Sequence, residues 1–221
     1  MPAFEQFKNY FPEGLASKAE SLGYSKPNIL ILEGKEEELK QSYPEVYANI
    51  QSCKHNKDDR KPIEYAQDLV ASWIFEDVLI KDLADNGCVL TLNGADKKRE
   101  ILKSSKVSSS SDAILEYEGK SCPIEIMTDY TDYWQKKLRL DLRDDKCLKM
   151  CHEKSILLGI AVPSSKYILL DFAKDLDATW KKYHAPYHKP AYSIKLSSEM
   201  ESNIDFQAMA EDLINHLKNR E

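Results

Sequence analysis

The chain predicts an α/β fold, a mixed central β-sheet flanked by helices, and three features of its 221 residues predict it. Between 63 and 85, apolar and polar residues sort at a period of 3.6, the mark of one long amphipathic helix. Residues 113–117 and 122–128 are short apolar runs on either side of Glu118-Gly119, which is the pattern of a β-hairpin. Two more apolar runs, 156–162 and 167–172, follow a basic helical crossover, so one sheet can hold both antiparallel and parallel neighbours.

Taken in order, residues 1–62 read as a helical annex. Phe4, Phe7, Phe11 and Leu15 recur at helical spacing, the run Ile29 to Leu32 precedes the acidic start of another helix, and Pro12, Pro27, Pro44 and Pro62 punctuate the segment. In the long helix Ala66, Leu69, Val70, Trp73, Ile74, Val78 and Ile80 mark the apolar stripe, and Asn86-Gly87 supplies the stop. Val89 to Leu92 is a short strand. Ser104, Ser105 and Ser108 to Ser111 then give a mobile loop before the hairpin. Residues 134–153 read as one basic helix, 183–192 as a loop rich in His and aromatic residues, 193–196 as a short strand and 204–218 as a last helix. The expected organisation is an annex over 1–62, a core over 63–175, and a C-terminal loop, strand and helix over 176–221 that belong to the same domain as the core.

A composition of 42% apolar and 31% charged residues, with 7 Gly and 9 Pro, is that of a globular protein and excludes fibrous and disordered classes. No run approaches the length of an apolar membrane span, and the first residues mix Glu, Lys, Asn and Pro, so a cytoplasmic protein without membrane attachment is expected. Cys53, Cys88, Cys122, Cys147 and Cys151 lack paired metal-ligand spacing, which favours reduced and mostly buried thiols. The spacing of His152, His184 and His188 fits no zinc motif either. The net charge of -6 does not advertise a nucleic-acid binder, but the cations are clustered. Lys136, Lys137, Arg139, Arg143, Lys146, Lys149 and Lys154 form one group, and Lys181, Lys182, His184, His188, Lys189 and Lys195 another. Each group is either a solvated face or a phosphate-binding one.

Chemistry is concentrated in Asp112 and Glu125. If the hairpin pairs, Asp112 opens the first strand beside Glu125 in the second, and their carboxylates meet at one edge of the sheet. Mg²⁺ takes one or two carboxylates, keeps several waters and binds phosphate oxygens, so this pair suits phosphodiester hydrolysis. Glu76 on the long helix is a third carboxylate, with Glu64 as its alternative. Each also has a bland reading. Asp112 could cap a turn, Glu76 could face solvent, and Glu125 alternates with Ile124 and Ile126, which allows it a solvent-facing place. Tyr130, Tyr133 and Trp134 follow the acidic strand and suit either a nucleic-acid groove or core packing.

Glu76 before Gly87, Ser111-Asp112-Ala113-Ile114-Leu115, and Pro123-Ile124-Glu125-Ile126-Met127, in this order, resemble the core of the PD-(D/E)XK nuclease superfamily. The likeness spans 63–172 and departs from the family in Ser111, where its motif has proline, and in Met127, where it has lysine. The resemblance implies a restriction-endonuclease-like core and a Mg²⁺-dependent nuclease, with Mn²⁺ able to substitute. It is most like a type II restriction endonuclease, a homodimer acting on palindromic double-stranded DNA. Asp112 and Glu125 would hold the metal, assisted by Glu76. DNA contacts would fall to Lys136, Arg139, Arg143, Lys181, Lys182, His184, His188 and Lys189. For the lysine missing at Met127 three explanations stand: migration to Lys136 or Lys137, as in the cap-snatching branch that cuts RNA; loss, leaving a catalytically impaired nucleic-acid-binding protein; or an inactivating substitution.

Overall fold

A computed structural model describes residues 3–52, 60–102, 110–185 and 188–220. The chain forms two compact units, Met1–Lys81 with Asn93–Ser110, and Asp82–Leu92 with Ser111–Glu221. Cys53 and most of the serine-rich segment expected to be a mobile loop lie outside the described residues.

The first unit holds α1 (Ala3–Tyr10), α2 (Leu15–Ser21), α3 (Lys26–Leu32), α4 (Glu36–Ser42), α5 (Pro44–Ser52) and the greater part of α6 (Pro62–Asp85). The aromatic spacing seen in the sequence is split between α1 and the turn after it. Phe7 is fully buried and stacks on Phe75 at 4.6 Å, while Phe11 and Leu15 are buried beside the turn into α2. Three acidic residues of α6 are held by cations of the same unit. Asp68 pairs with Arg60, and Arg99, itself buried, pairs with Glu76 at 2.9 Å and with Asp77 at 2.5 Å. Glu64 accepts from the Lys61 amide at 2.8 Å and so caps the start of α6. At the other end of α6, Gly87 adopts φ +83° while its amide and that of Cys88 close onto Ala84 and Leu83, as the Asn-Gly stop predicts.

The second unit contains β1 (Leu90–Leu92), β2 (Ala113–Tyr117), β3 (Lys120–Asp129), α7 (Tyr133–Lys137), β4 (Arg139–Arg143), α8 (Asp144–Glu153), β5 (Ile156–Ala161), β6 (Lys166–Asp171), β7 (Ala178–His184), β8 (Lys189–Lys195), β9 (Glu201–Asn203) and α9 (Phe206–Lys218). Its larger sheet has the order β1-β2-β3-β5-β6-β9. β3 and β5 are parallel and the other neighbours antiparallel, so the central sheet is mixed. α9 covers one face, where Asp212 accepts from the Tyr167 hydroxyl at 2.7 Å. The opposite face lies under α8 and a second sheet of order β4-β8-β7.

That second sheet corrects two expectations. Residues 134–153 are not one helix. Leu138, at φ +46°, ends α7, and Arg-Leu-Asp-Leu-Arg then runs as β4, with Leu140 and Leu142 turned into the core and the charged residues turned away. The segment read as a loop from 183 to 192 is instead largely strand, β7 and β8 being paired antiparallel across it. In both places the alternation is short and rich in Lys, Arg or His, so composition hides a period of two.

Leu140, Leu142 and Ile194 of the second sheet join Trp134, Cys147 and Met150 in an apolar cluster with Leu157, Ile168 and Leu170 of the first, and the half-buried Met127 packs against it. Cys88 and Cys122 are buried, as is Cys147, whereas Cys151 is exposed, and all four are free thiols. Among the described residues no helix is long and apolar enough to cross a membrane.

Gly159 shows how closely this cluster is filled. A Cβ there would stand 2.6 Å from the Trp134 ring and 2.7 Å from Ile168. Gly159→Ala should therefore destabilise the protein by about 1–3 kcal/mol, the usual cost of overpacking, read as a lower denaturation midpoint at unchanged slope.

Candidate active site

The hairpin fixes the site. The turn at Glu118-Gly119, both with positive φ, sets a register in which Ala113 faces Ile124. Asp112, one residue before β2, therefore stands across from Glu125, and its Oδ2 accepts from the Ile126 amide at 2.8 Å. The expected meeting of the two carboxyls at the open end of the hairpin is thus found. The solvent-facing alternative for Glu125 is not, since its side chain is only 4% exposed. Alternation does turn it away from Ile124 and Ile126, but onto the face that α8 covers.

α8 provides the charge that makes this burial tolerable. Cys147 and Met150 take one stripe of the helix into the apolar cluster. On the flank beside that stripe, Lys146 reaches Glu125 Oε2 at 2.8 Å and Lys149 reaches Oε1 at 3.5 Å, while Lys149 also pairs with Glu153 at 3.6 Å. An unpaired carboxylate at this depth would cost several kcal/mol or would take up a proton, so the lysines are integral to the site.

Asp112 is less well compensated. Burial, followed by the nearby Glu125 charge, raises its pKa to about 6, and Lys146 and the Ile126 amide counter only part of this. Two oxygen-donor side chains that repel each other in a desolvated place fit a divalent hard cation, whose charge would relieve both. Among the described residues no cluster of three or more His, Cys, Asp or Glu forms a metal site, so the pair would hold such an ion together with water.

The other anticipated residues are placed differently. Glu76 is paired with Arg99 in the first unit. Lys136 donates to the Thr131 carbonyl at 2.7 Å, and Lys137 is exposed at the end of α7. The cations against Glu125 are instead Lys146 and Lys149, present in the sequence as two members of a basic run and distinguishable from the rest by their three-residue spacing beside Cys147 and Met150. Trp134 is core, Tyr130 bonds to Thr128, and Tyr133 donates to Asp141 at 2.8 Å. Of the basic residues assigned to DNA, Arg139, Lys181 and His184 converge on Asp141, at 3.1, 3.7 and 3.2 Å. Arg143 lies 3.5 Å from Asp145, His188 bonds to the Tyr183 hydroxyl at 3.0 Å, and Lys182 and Lys189 are exposed.

No family profile and no curated protein sequence matches the chain. Among solved structures, one that it resembles is Hjc of Archaeoglobus fulgidus, a Holliday junction resolvase from an archaeal hyperthermophile. The two share 13% identity at a TM-score of 0.37, over 62% of this chain and 93% of that one.

The raised Asp112 pKa has a defined consequence. The folded protein holds this proton more tightly than the unfolded chain does, so the stabilisation is complete below pH 3.8 and is lost as pH rises through about 6. In metal-free buffer Asp112→Asn should stabilise the protein at pH 7, by up to about 3 kcal/mol at 1.4 kcal/mol per pH unit. Mn²⁺ affinity of the parent protein, followed by calorimetry, should rise with pH and level off above about 6, because the ion competes with that proton. A flat profile between pH 5 and 7 would remove Asp112 from the ligand set.

Proposed function

We propose that this chain is a divalent-metal-dependent endonuclease hydrolysing phosphodiester bonds of duplex DNA, with Mg²⁺ as the working ion and Mn²⁺ as a substitute. The observation that carries the reading is the juxtaposition of the half-buried carboxyl of Asp112, at the start of β2, with the buried carboxyl of Glu125 in β3, the latter with a lysine ammonium at 2.8 Å.

Asp112 and Glu125 would hold the cation, which when bound would neutralise phosphate charge and supply a water of lowered pKa. Asp112 must be ionised to do so. Lys146 occupies the role that Met127 leaves open: its ammonium, fixed by Glu125, stands ready to donate to the negative charge that builds on the phosphate in the transition state. Lys149, shared between Glu125 and Glu153, keeps Glu125 oriented. Met127 lies on the same face of β3 but against the apolar cluster, which accounts for its side chain being apolar.

The finer reading is a type II site-specific restriction endonuclease, acting as a homodimer on a palindromic sequence. One observation favours a second substrate. A lysine on the helix beyond the acidic strand, rather than in the strand, is also the arrangement of the RNA-cutting branch that the sequence resembles. Incubation of the protein with Mg²⁺ or Mn²⁺ and a mixture of plasmid DNA, genomic DNA and RNA separates the readings: discrete DNA fragments mark restriction, RNA decay marks the second substrate, and intact nucleic acid in every arm refutes catalysis.

Asp112→Asn and Glu125→Gln should each abolish cleavage, and Lys146→Ala should lower it by roughly 10²–10³-fold, as for loss of one charge-stabilising donor. Met127→Lys should leave the rate unchanged. A gain from Met127→Lys together with an active Lys146→Ala would sink the assignment of the lysine.

A further inference from the structure

The face of β4, β8 and β7 turned away from the apolar cluster carries a polar network that the proposed chemistry does not use. At its centre is Asp141, 5% exposed, and five side chains aim donors at it. The Ser193 hydroxyl donates at 2.5 Å and that of Tyr133 at 2.8 Å. Arg139 Nε lies 3.1 Å away, His184 Nε2 3.2 Å and Lys181 Nζ 3.7 Å. Burial works against the Asp141 charge, but these hydrogen bonds and Arg139 hold its pKa below the ordinary carboxylate value. One carboxylate thus organises two permanent cations.

The cations are not used up by it. A guanidinium has five N–H donors; Arg139 directs Nε to Asp141 and one Nη2 proton to Tyr133, which leaves three. Lys181 gives one donor to Ser193 at 3.1 Å and leans on Asp141, with a third remaining. Both side chains are about a third exposed, so their remaining donors reach the surface. Arg143 lies on the same face four residues beyond Arg139 along β4, and α8, which carries Lys146, begins at the next residue. At about 3.3 Å per residue β4 extends about 13 Å, which is about four nucleotides of one duplex strand.

We propose that this face is a backbone-phosphate clamp, in which Arg139 and Lys181, pre-set by Asp141, bind phosphodiester groups of duplex DNA and lead the strand along β4 toward Lys146 and the paired carboxyls. The clamp rests on the nuclease reading. Asp141 acts as a positioning residue, since it touches the cations and not the ligand.

Binding of a fluorescent DNA duplex to the full chain is measured in Ca²⁺ at several salt concentrations. Arg139→Gln and Lys181→Gln should each weaken binding severalfold and reduce the slope of log affinity against log salt by about one; Asp141→Asn should weaken binding while keeping the slope, because both cations remain. Lys137→Gln, outside the face, should change affinity less than any of these. Thermal melts identify variants that fail to fold, and exposed Arg143→Gln then reports on the same face. Unchanged slopes in folded variants, or an effect seen with duplex RNA and absent with DNA, would each overturn the clamp. A parent protein that binds no duplex overturns the nuclease reading itself, whereas one that binds and cuts with unaltered variants overturns the clamp alone.

Discussion

Glu125 sits in β3, within the larger sheet, with almost no access to water, and the second unit is arranged so that this is possible. An ionised carboxylate can be kept there only if cations approach it from the covering layer, because its own sheet offers only backbone donors. α8 meets that demand with two lysines on the flank of a stripe that is otherwise core. The helix lies in that place because the chain leaves the first sheet after β3 and runs as β4 in the second before α8 begins. The layer that buries Glu125 and the layer that compensates its charge are the same piece of chain.

The two carboxyls are then unequal in a useful way. Glu125 is matched by two ammonium groups in contact, whereas Asp112 has a single backbone amide and the more distant charge of Lys146 against burial and the field of its neighbour. A doubly charged ion held there, as proposed above, would relieve this repulsion, so metal affinity and the stability of the metal-free protein would be two aspects of one imbalance. The same logic, with the sign reversed, governs the Asp141 network, where a lone acid is surrounded by more donors than it can use.

How much of this could be read from the sequence follows from how local each feature is. The hairpin and the juxtaposition of Asp112 with Glu125 depend on a two-residue turn and a register counted back from it, so they are visible in a dozen and a half residues. The long helix and its Asn-Gly stop are equally local. Alternation placed Glu125 opposite Ile124 and Ile126, yet it says nothing of what lies over that face, and burial was therefore invisible. Lys146 and Lys149 were lost among their basic neighbours because their distinction depends on the break at Leu138. A helix-rich composition across 134–153 concealed a five-residue strand whose partner lies some fifty residues later. The spacing of Glu76 is legible in the sequence, but its pairing with Arg99, more than twenty residues along the chain, is not. Pairings of that separation leave no periodic trace.

The parallel pairing of β3 with β5 has a consequence for how the chain reaches this structure. Parallel neighbours need a long crossover, and here the crossover contains β4, which belongs to the other sheet and pairs with β8 far downstream. β3 and β5 precede β7 and β8 in the chain, so their pairing encloses β4 before its own partner, β8, has been synthesised, and the second sheet closes only when β8 arrives. Until β8 pairs with it, β4 with its apolar side, Leu140 and Leu142, is an open strand edge that another chain could pair with.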